Sequence, residues 1–247
     1  MTIRSHAELA GMQAVGRVVA ETLAYLAAEA RAGLATGQLD DLGARFLERR
    51  GARSAPQRTY GFPGCTCISV NDEVVHGVPG PRRLVAGDLV KIDVTAELDG
   101  FIADAARTVA LPGAPSRGRR LMRCARRALR AALAVARAGA PLRMIGRTIE
   151  GEVRRAGFAV LRELTGHGVG RGIHEPPSVP NFDDPEEGRV LHEGLVLAVE
   201  PLIAERPAQV VEGPDRWTLR TDNGALAAHQ EHTIVVRRGG PLVLTAP

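Results

Sequence analysis

The sequence predicts an α+β fold made of two related halves, on three observations. Helix-periodic stretches come ahead of each of two strand-rich blocks. Asp99-Gly100 sits between two apolar runs, the signature of a tight β-hairpin. Gly87-Asp-Leu-Val-Lys-Ile-Asp93 is echoed by Gly194-Leu-Val-Leu-Ala-Val-Glu200, so each half closes an apolar run with a carboxylate six residues after a glycine.

Taken in order, Ser5-His-Ala-Glu8 is a capping box. Behind it Leu9, Met12, Val15, Val19, Leu23 and Leu26 recur at three- and four-residue steps. That is the stripe of an amphipathic helix, with Gly33 as its stop. A second helix runs over about 37–50 on Leu39, Leu42, Phe46 and Leu47, with Gly51 as its breaker. Over 61–111 the pattern changes to short strands and turns: a strand over 85–98, the Asp99-Gly100 turn, and a strand over 101–111. Pro112-Gly113-Ala114-Pro115 closes the block. A long helix over 116–138 opens the second half, and a helical stretch follows near 144–156. Residues 165–172 are glycine-rich, and strand-like runs return at 195–200, 217–221 and 232–236.

The chain has 247 residues, 45% hydrophobic and 24% charged, enough to bury a core without staples. No linker or low-complexity stretch divides it, so residues 1–247 read as a single domain. Charges interrupt every apolar stretch short of the ~18 residues a membrane span needs. The opening residues lack the unbroken apolar run of a secretory signal. Cys65, Cys67 and Cys124 cannot all pair with one another, which fits a reducing, cytoplasmic setting. Net charge is +4, yet Lys91 is the only lysine among 32 basic residues. With so much alanine, the arginine excess reflects GC-rich coding and not specific nucleic-acid binding. Arg119, Arg123, Arg126, Arg127 and Arg130 gather on one side of the 116–138 helix. They read as a solvated face, with docking on ribosomal RNA as the functional alternative.

The chemistry lies in acids that end or flank apolar runs. If Asp99-Gly100 is a two-residue loop, Leu98 faces Phe101 and Thr95 faces Asp104. Asp93 is then diagonal to Asp104 on one face, about 7–8 Å away at the backbone. Val90, Ile92 and Val94 flank Asp93 and mark the strand as buried. A buried carboxylate pair wants a cation or a shared proton. Glu200 closes the 195–199 apolar run, and Glu231 precedes His232-Thr-Ile-Val-Val. His167 stands in Thr165-Gly-His-Gly-Val-Gly-Arg-Gly172, where glycines let the backbone crowd a centre. Asp93, Asp104, His167, Glu200 and Glu231 form an oxygen-rich set with one nitrogen, suited to Mn, Fe(II), Co or Zn. Five such side chains exceed one tetrahedral ion's needs and suit two divalent cations about 3.5–4 Å apart. The 166–172 run lacks the spacing of a dinucleotide loop, and no P-loop or H-E-x-x-H occurs.

Ser69-Val-Asn-Asp-Glu-Val-Val-His76-Gly, Ile92-Asp93-Val-Thr, Asp99-Gly-Phe-Ile-Ala-Asp104, Gly166-His167-Gly-Val-Gly-Arg-Gly-Ile-His174-Glu, Val199-Glu200-Pro and Glu231-His-Thr-Ile-Val stand in this order. Together they resemble a type I methionine aminopeptidase of the short bacterial form, over nearly the whole chain. The resemblance implies the pita-bread fold, two pseudo-symmetric halves with antiparallel sheet covered by helices. It implies that Asp93, Asp104, His167, Glu200 and Glu231 hold the two cations, with Asp104 and Glu231 bridging. His76 and His174 match the histidines that contact substrate. Phe62, Cys67 and Trp217 fall where the family lines its methionine pocket. The implied activity is removal of the N-terminal methionine from nascent proteins and peptides, preferring a small second residue. A metal-bridging hydroxide would attack the first peptide bond. Glu200 would accept the water proton, His174 stabilise the oxyanion, and His76 assist at the leaving amine. The expected partners are N-termini of nascent polypeptides, with weak ribosome association, and the expected state is a monomer.

The sequence departs from the family at five positions. Ala105 replaces a usual Thr or Ser, Ile173 a common aromatic, and Thr59 an aromatic of the pocket. His229-Gln230 stand where glutamine and an aromatic are usual. His229 reads either as a surface or packed histidine or as a partner of Glu231. Two other functions fit the same fold: a peptidase acting on Xaa-Pro bonds, and an inactive binding module. The first is weakened by the lack of an additional amino-terminal domain, the second because no expected ligand is lost.

Overall fold

A computed structural model describes residues 1–246. Its first helix, α1 (His6–Glu29), starts at Ser5, whose hydroxyl accepts from the Glu8 amide, and it buries Met12, Val15, Val19, Leu23 and Leu26. α2 (Thr36–Arg49) gives out just before Gly51, which takes φ +71. Next come β1 (Arg53–Ser54), α3 (Ala55–Tyr60), β2 (Cys67–Val70), β3 (Glu73–Val75), β4 (Leu89–Leu98) and β5 (Phe101–Ala110). The second half opens with α4 (Ser116–Val135) and α5 (Arg143–Arg155). Short strands follow: β6 (Ala159–Val160), β7 (Thr165–Gly168), β8 (Glu175–Pro180), β9 (Val196–Val199) and β10 (Leu202–Ala204). β11 (Val210–Glu212), β12 (Leu219–Thr221), β13 (Ala227–His229), β14 (His232–Val235) and β15 (Leu242–Val243) complete the chain.

Three boundaries differ from the sequence expectation. α1 ends at Glu29, four residues short of the expected stop at Gly33. β4 starts at Leu89, not 85, because Asp88 folds the preceding residues into a turn. Its carboxylate accepts from the Val85 amide at 2.9 Å, and Gly87 takes φ +99. The long helix stops at Val135, three residues early. His76 lies just past β3 with φ +57.

The hairpin forms in the expected register, Leu98 opposite Phe101 and Thr95 opposite Asp104. Asp99 and Gly100 take φ 52 and 78, both left-handed as a type I′ turn requires. β4 also pairs antiparallel with β1 and β2, while β15, β14, β9, β7 and β8 form a five-stranded antiparallel sheet. α1 packs on β4 and β5, and α4 lies beside α5 over the second half. Two apolar clusters result. One joins α1 and α2 to β4 through Met12, Leu26, Leu39 and Ile92; the other joins α4 and α5 to β9 and β14 through Leu121, Ile145, Leu197 and Ile234.

Paired backbone and threonine bonds stitch the halves together. The Glu231 amide donates to the Ala106 carbonyl at 2.9 Å. Thr233 Oγ1 accepts from the Asp104 amide (2.9 Å) and donates to the Asp104 carbonyl (2.8 Å). Thr108 does the same for His229, at 2.9 and 2.7 Å. Lys91, 1% exposed, ties Asn71 to Ala227 by donating to both carbonyls. Each bond satisfies a group that would be costly to bury alone. Together they set β5 against the start of β14, where the acids meet. Among the described residues, no helix is long and apolar enough to cross a membrane.

Candidate metal centre

Alternation along the buried hairpin turns Asp93 and Asp104 to one face, where they are 9% and 6% exposed. The second half brings three more groups to them. β9 and β14 run antiparallel with Val199 opposite His232, so Glu200 and Glu231 leave the ladder at the same end. Asn181 fixes that end by donating to the Glu200 carbonyl at 3.0 Å. His167 lies on β7 between β8 and β9. Its glycine neighbours permit this: a Cβ on Gly166 would meet the Ala198 carbonyl oxygen at 2.4 Å, and one on Gly168 the Pro176 oxygen at 2.3 Å.

The five groups form one buried nest. Ligand atoms of Asp104, His167 and Glu231 lie within 4.8 Å of one another. His167 Nε2 is 3.3 Å from Glu200 Oε1. Its Nδ1 faces the Gly168 carbonyl at 3.0 Å, which leaves Nε2 for the nest. Asp93 Oδ1, Asp104 Oδ1 and Glu231 Oε1 are buried without a hydrogen-bond partner. Orphaned carboxylate oxygens at this depth need a counter-charge. The donor set therefore fits divalent cations, with carboxylates and one imidazole as the groups able to hold them.

Electrostatics agree with that reading. Burial first, then the Asp104 charge, pushes Asp93 well above the usual carboxylate range. Burial, with Asp104 and Glu200 nearby, does the same to Glu231. Asp104 is also raised by burial, partly offset by His167. Glu200 is the exception. Burial raises it, but hydrogen bonds and charge from His167 and His229 outweigh burial and hold it low. Burial lowers His167, yet the bond to Glu200 carries it up to about 9.

Against the nest lies an apolar cleft. Cys67, opposite Asp93 in the β2–β4 ladder, forms its floor. Burial and the neighbouring acids raise that thiol well above its usual value, so it stays protonated and apolar. Phe62 and Trp217 meet edge to face across 5.3 Å. Asp215 holds the Trp217 turn by accepting from the Trp217 and Thr218 amides. His76 lines the cleft, and burial pulls its pKa to about 4. His174 sits exposed at the rim with its ring 4.4 Å from that of His167. Desolvation, then the neighbouring His167, lowers its pKa.

The ten residues expected to hold cations or contact substrate (Asp93, Asp104, His167, Glu200, Glu231, His76, His174, Phe62, Cys67 and Trp217) thus lie in the nest or the cleft. Two contributors were not singled out from the sequence. Pro56 and Tyr60 come from α3 and line the cleft; the Ser54-x-Pro56 start and Gly61 stop were the available signal. Thr59 is exposed, and the aromatic expected near it is supplied by Tyr60. His229 is not a surface histidine: it is 1% exposed, with Nε2 3.4 Å from Glu200 Oε2 and 3.7 Å from Glu231 Oε2. Ile173, where an aromatic is common, is buried and also lines the cleft.

Comparison with known proteins agrees with this architecture. The chain is 40% identical to Methionine aminopeptidase 2 of Bacillus subtilis over 99% of both chains. It is 37% identical to a methionine aminopeptidase of Clostridium perfringens over 98% of both. The crystal structure of methionine aminopeptidase from Thermotoga maritima superposes with a TM-score of 0.96 at 34% identity, covering 100% of each chain. Prolidase from Pyrococcus furiosus, 20% identical, shares the pita-bread fold over 66% of its length at a TM-score of 0.80. Residues 10–238 match the description of metallopeptidase family M24, and the chain belongs to that family.

Proposed function

We propose that this chain removes the N-terminal methionine from nascent proteins and peptides in the cytoplasm, acting as a monomer with residues 1–247 as one catalytic unit. The observation that carries the reading is the junction of two environments. A cleft walled by Phe62, Cys67 and Trp217 opens onto a nest of buried, unpartnered carboxylates. The full-length likeness to proteins named methionine aminopeptidases supports the same substrate.

Asp93, Asp104, His167, Glu200 and Glu231 would hold two divalent cations, Mn, Fe(II), Co or Zn, with Asp104 and Glu231 shared between them. Such cations supply Lewis-acid polarisation and acidify water at neutral pH, which provides the nucleophile for the first peptide bond. The protein's own residues do the rest. Phe62, Cys67 and Trp217 take the thioether side chain through soft, polarizable contacts. Glu200 receives the proton of the attacking water. His174 donates to the oxygen that gains charge at the scissile carbonyl. His76 hydrogen-bonds the scissile amide and helps protonate the leaving amine. Crowding of Tyr60 and His174 at the rim, beside buried His167, favours a small residue after methionine. The arginines of α4 are a solvated face that supports at most weak, salt-sensitive ribosome association.

Apo protein reloaded with each metal should release methionine from Met-Ala-Ser and leave Xaa-Pro tripeptides intact. Glu200→Gln should keep the fold and lose about 10²–10⁴-fold in kcat. Full activity in that variant would remove the base assignment. Failure to release methionine with any metal, from folded protein, would favour the inactive binding module.

A further inference from the structure

Tyr60 leaves the last turn of α3 in a direction fixed by the helix ends. Ser54 accepts from the Gln57 amide at 3.4 Å, and Pro56 fits the first turn, where no amide hydrogen is needed. Gly61 stops the helix at φ +70, with its amide on the Gln57 carbonyl. From there the Tyr60 hydroxyl reaches His174 Nδ1 at 2.7 Å. The two rings stack with centroids 5.8 Å apart and planes 25° from parallel. Tyr60 remains 47% exposed, so burial does not hold it in place; the contacts with His174 and the cleft do. The His174 ring also meets His167 at 72°, so its plane is fixed between two neighbours. Its proton is not. A neutral imidazole has one N–H, on either nitrogen, and its partners decide which.

We propose that Tyr60 is a positioning residue that donates to His174 Nδ1 and so places the imidazole proton on Nε2, aimed at the substrate's first carbonyl. A His174 with its proton on Nδ1 would present an acceptor to the developing oxyanion and repel it. Desolvation raises the Tyr60 phenol above its ordinary value, in keeping with a group that retains its proton and donates. The ring also lines the cleft. The substrate in this inference rests on the aminopeptidase reading; the hydrogen bond does not.

Tyr60→Phe keeps the stack and removes the hydroxyl. In zinc-loaded protein labelled with ¹⁵N-histidine, long-range ring spectra should show wild-type His174 as the Nε2–H tautomer and the Phe variant as a mixture. kcat for Met-Ala-Ser should fall about tenfold in Tyr60→Phe with KM held within about twofold, the loss of one oriented hydrogen bond. Tyr60→Ala, which also removes the ring from the cleft, should raise KM as well. An Nδ1–H tautomer in wild type would overturn the proposal. So would a Phe variant with unchanged kcat and unchanged ring spectrum. Absence of methionine release by the wild type would instead sink the aminopeptidase reading, while the tautomer result stood on its own.

Discussion

In the first half one continuous hairpin presents both Asp93 and Asp104, whereas in the second half His167, Glu200 and Glu231 come from three separate strands, β7, the end of β9 and the start of β14. The hairpin needs little help. Ten residues on each side of a type I′ turn fix the spacing of its acids by local register alone. The second half depends on close approach and on bonds from distant residues. β7 fits between its neighbours only because Gly166 and Gly168 lack a Cβ. Asn181 holds Glu200, and the Ala106 carbonyl holds the Glu231 amide. The same kind of acid is thus delivered once by local geometry and once by tertiary packing, and the two should fail differently.

The largest expected difference is in response to added bulk. Gly166→Ala would drive a methyl into the Ala198 carbonyl, and should destabilise the protein by about 3 kcal/mol. Gly100→Ala in the hairpin turn meets no protein atom nearer than 3.6 Å. It should cost only the left-handed strain at φ +78, about 1 kcal/mol. Urea unfolding of both variants checks this, and equal losses would break the comparison.

A smaller effect concerns protons and spans both halves. Asp93 in the first half and Glu231 in the second are pushed above the usual carboxylate range, and His167 sits at about 9. Stripped of cations, His167 therefore holds its proton at neutral pH and the raised acids hold theirs further up the pH scale than usual, so metal binding must release protons. Affinity then rises with pH and weakens as pH falls. The change should be up to about tenfold per pH unit for each proton released. Calorimetry of Mn binding in two buffers of different ionisation enthalpy would count the protons. A pH-independent affinity between pH 6 and 8 would show that the acids are already ionised.

The same contrast explains what the sequence could reveal. The Asp99-Gly100 turn and two-residue alternation announce the hairpin, its register and the Asp93–Asp104 pair without reference to the rest of the chain. Glu200 and Glu231 are conspicuous because acids rarely close or open apolar runs, and His167 because glycines surround it. How these meet is not local information. It depends on Thr233 bridging to Asp104 and on Thr108 bridging to His229, contacts more than a hundred residues apart. His229 could not be assigned for that reason, since its place beside Glu200 follows from the crossing of β13 and β5. The strands of two or three residues near the cleft are too short to show alternation. Tyr60 lies in a six-residue helix with no apolar stripe, so only its caps announce it.

Acids from both halves should hold the same cations, which is the central claim for this site. Metal content after loading and gel filtration tests it directly, in wild type and in Asp104→Asn and Glu231→Gln, each checked for folding by circular dichroism. Two cations are expected per wild-type chain, with at least one lost from either variant, whichever half is altered. Two cations retained in both folded variants would contradict it.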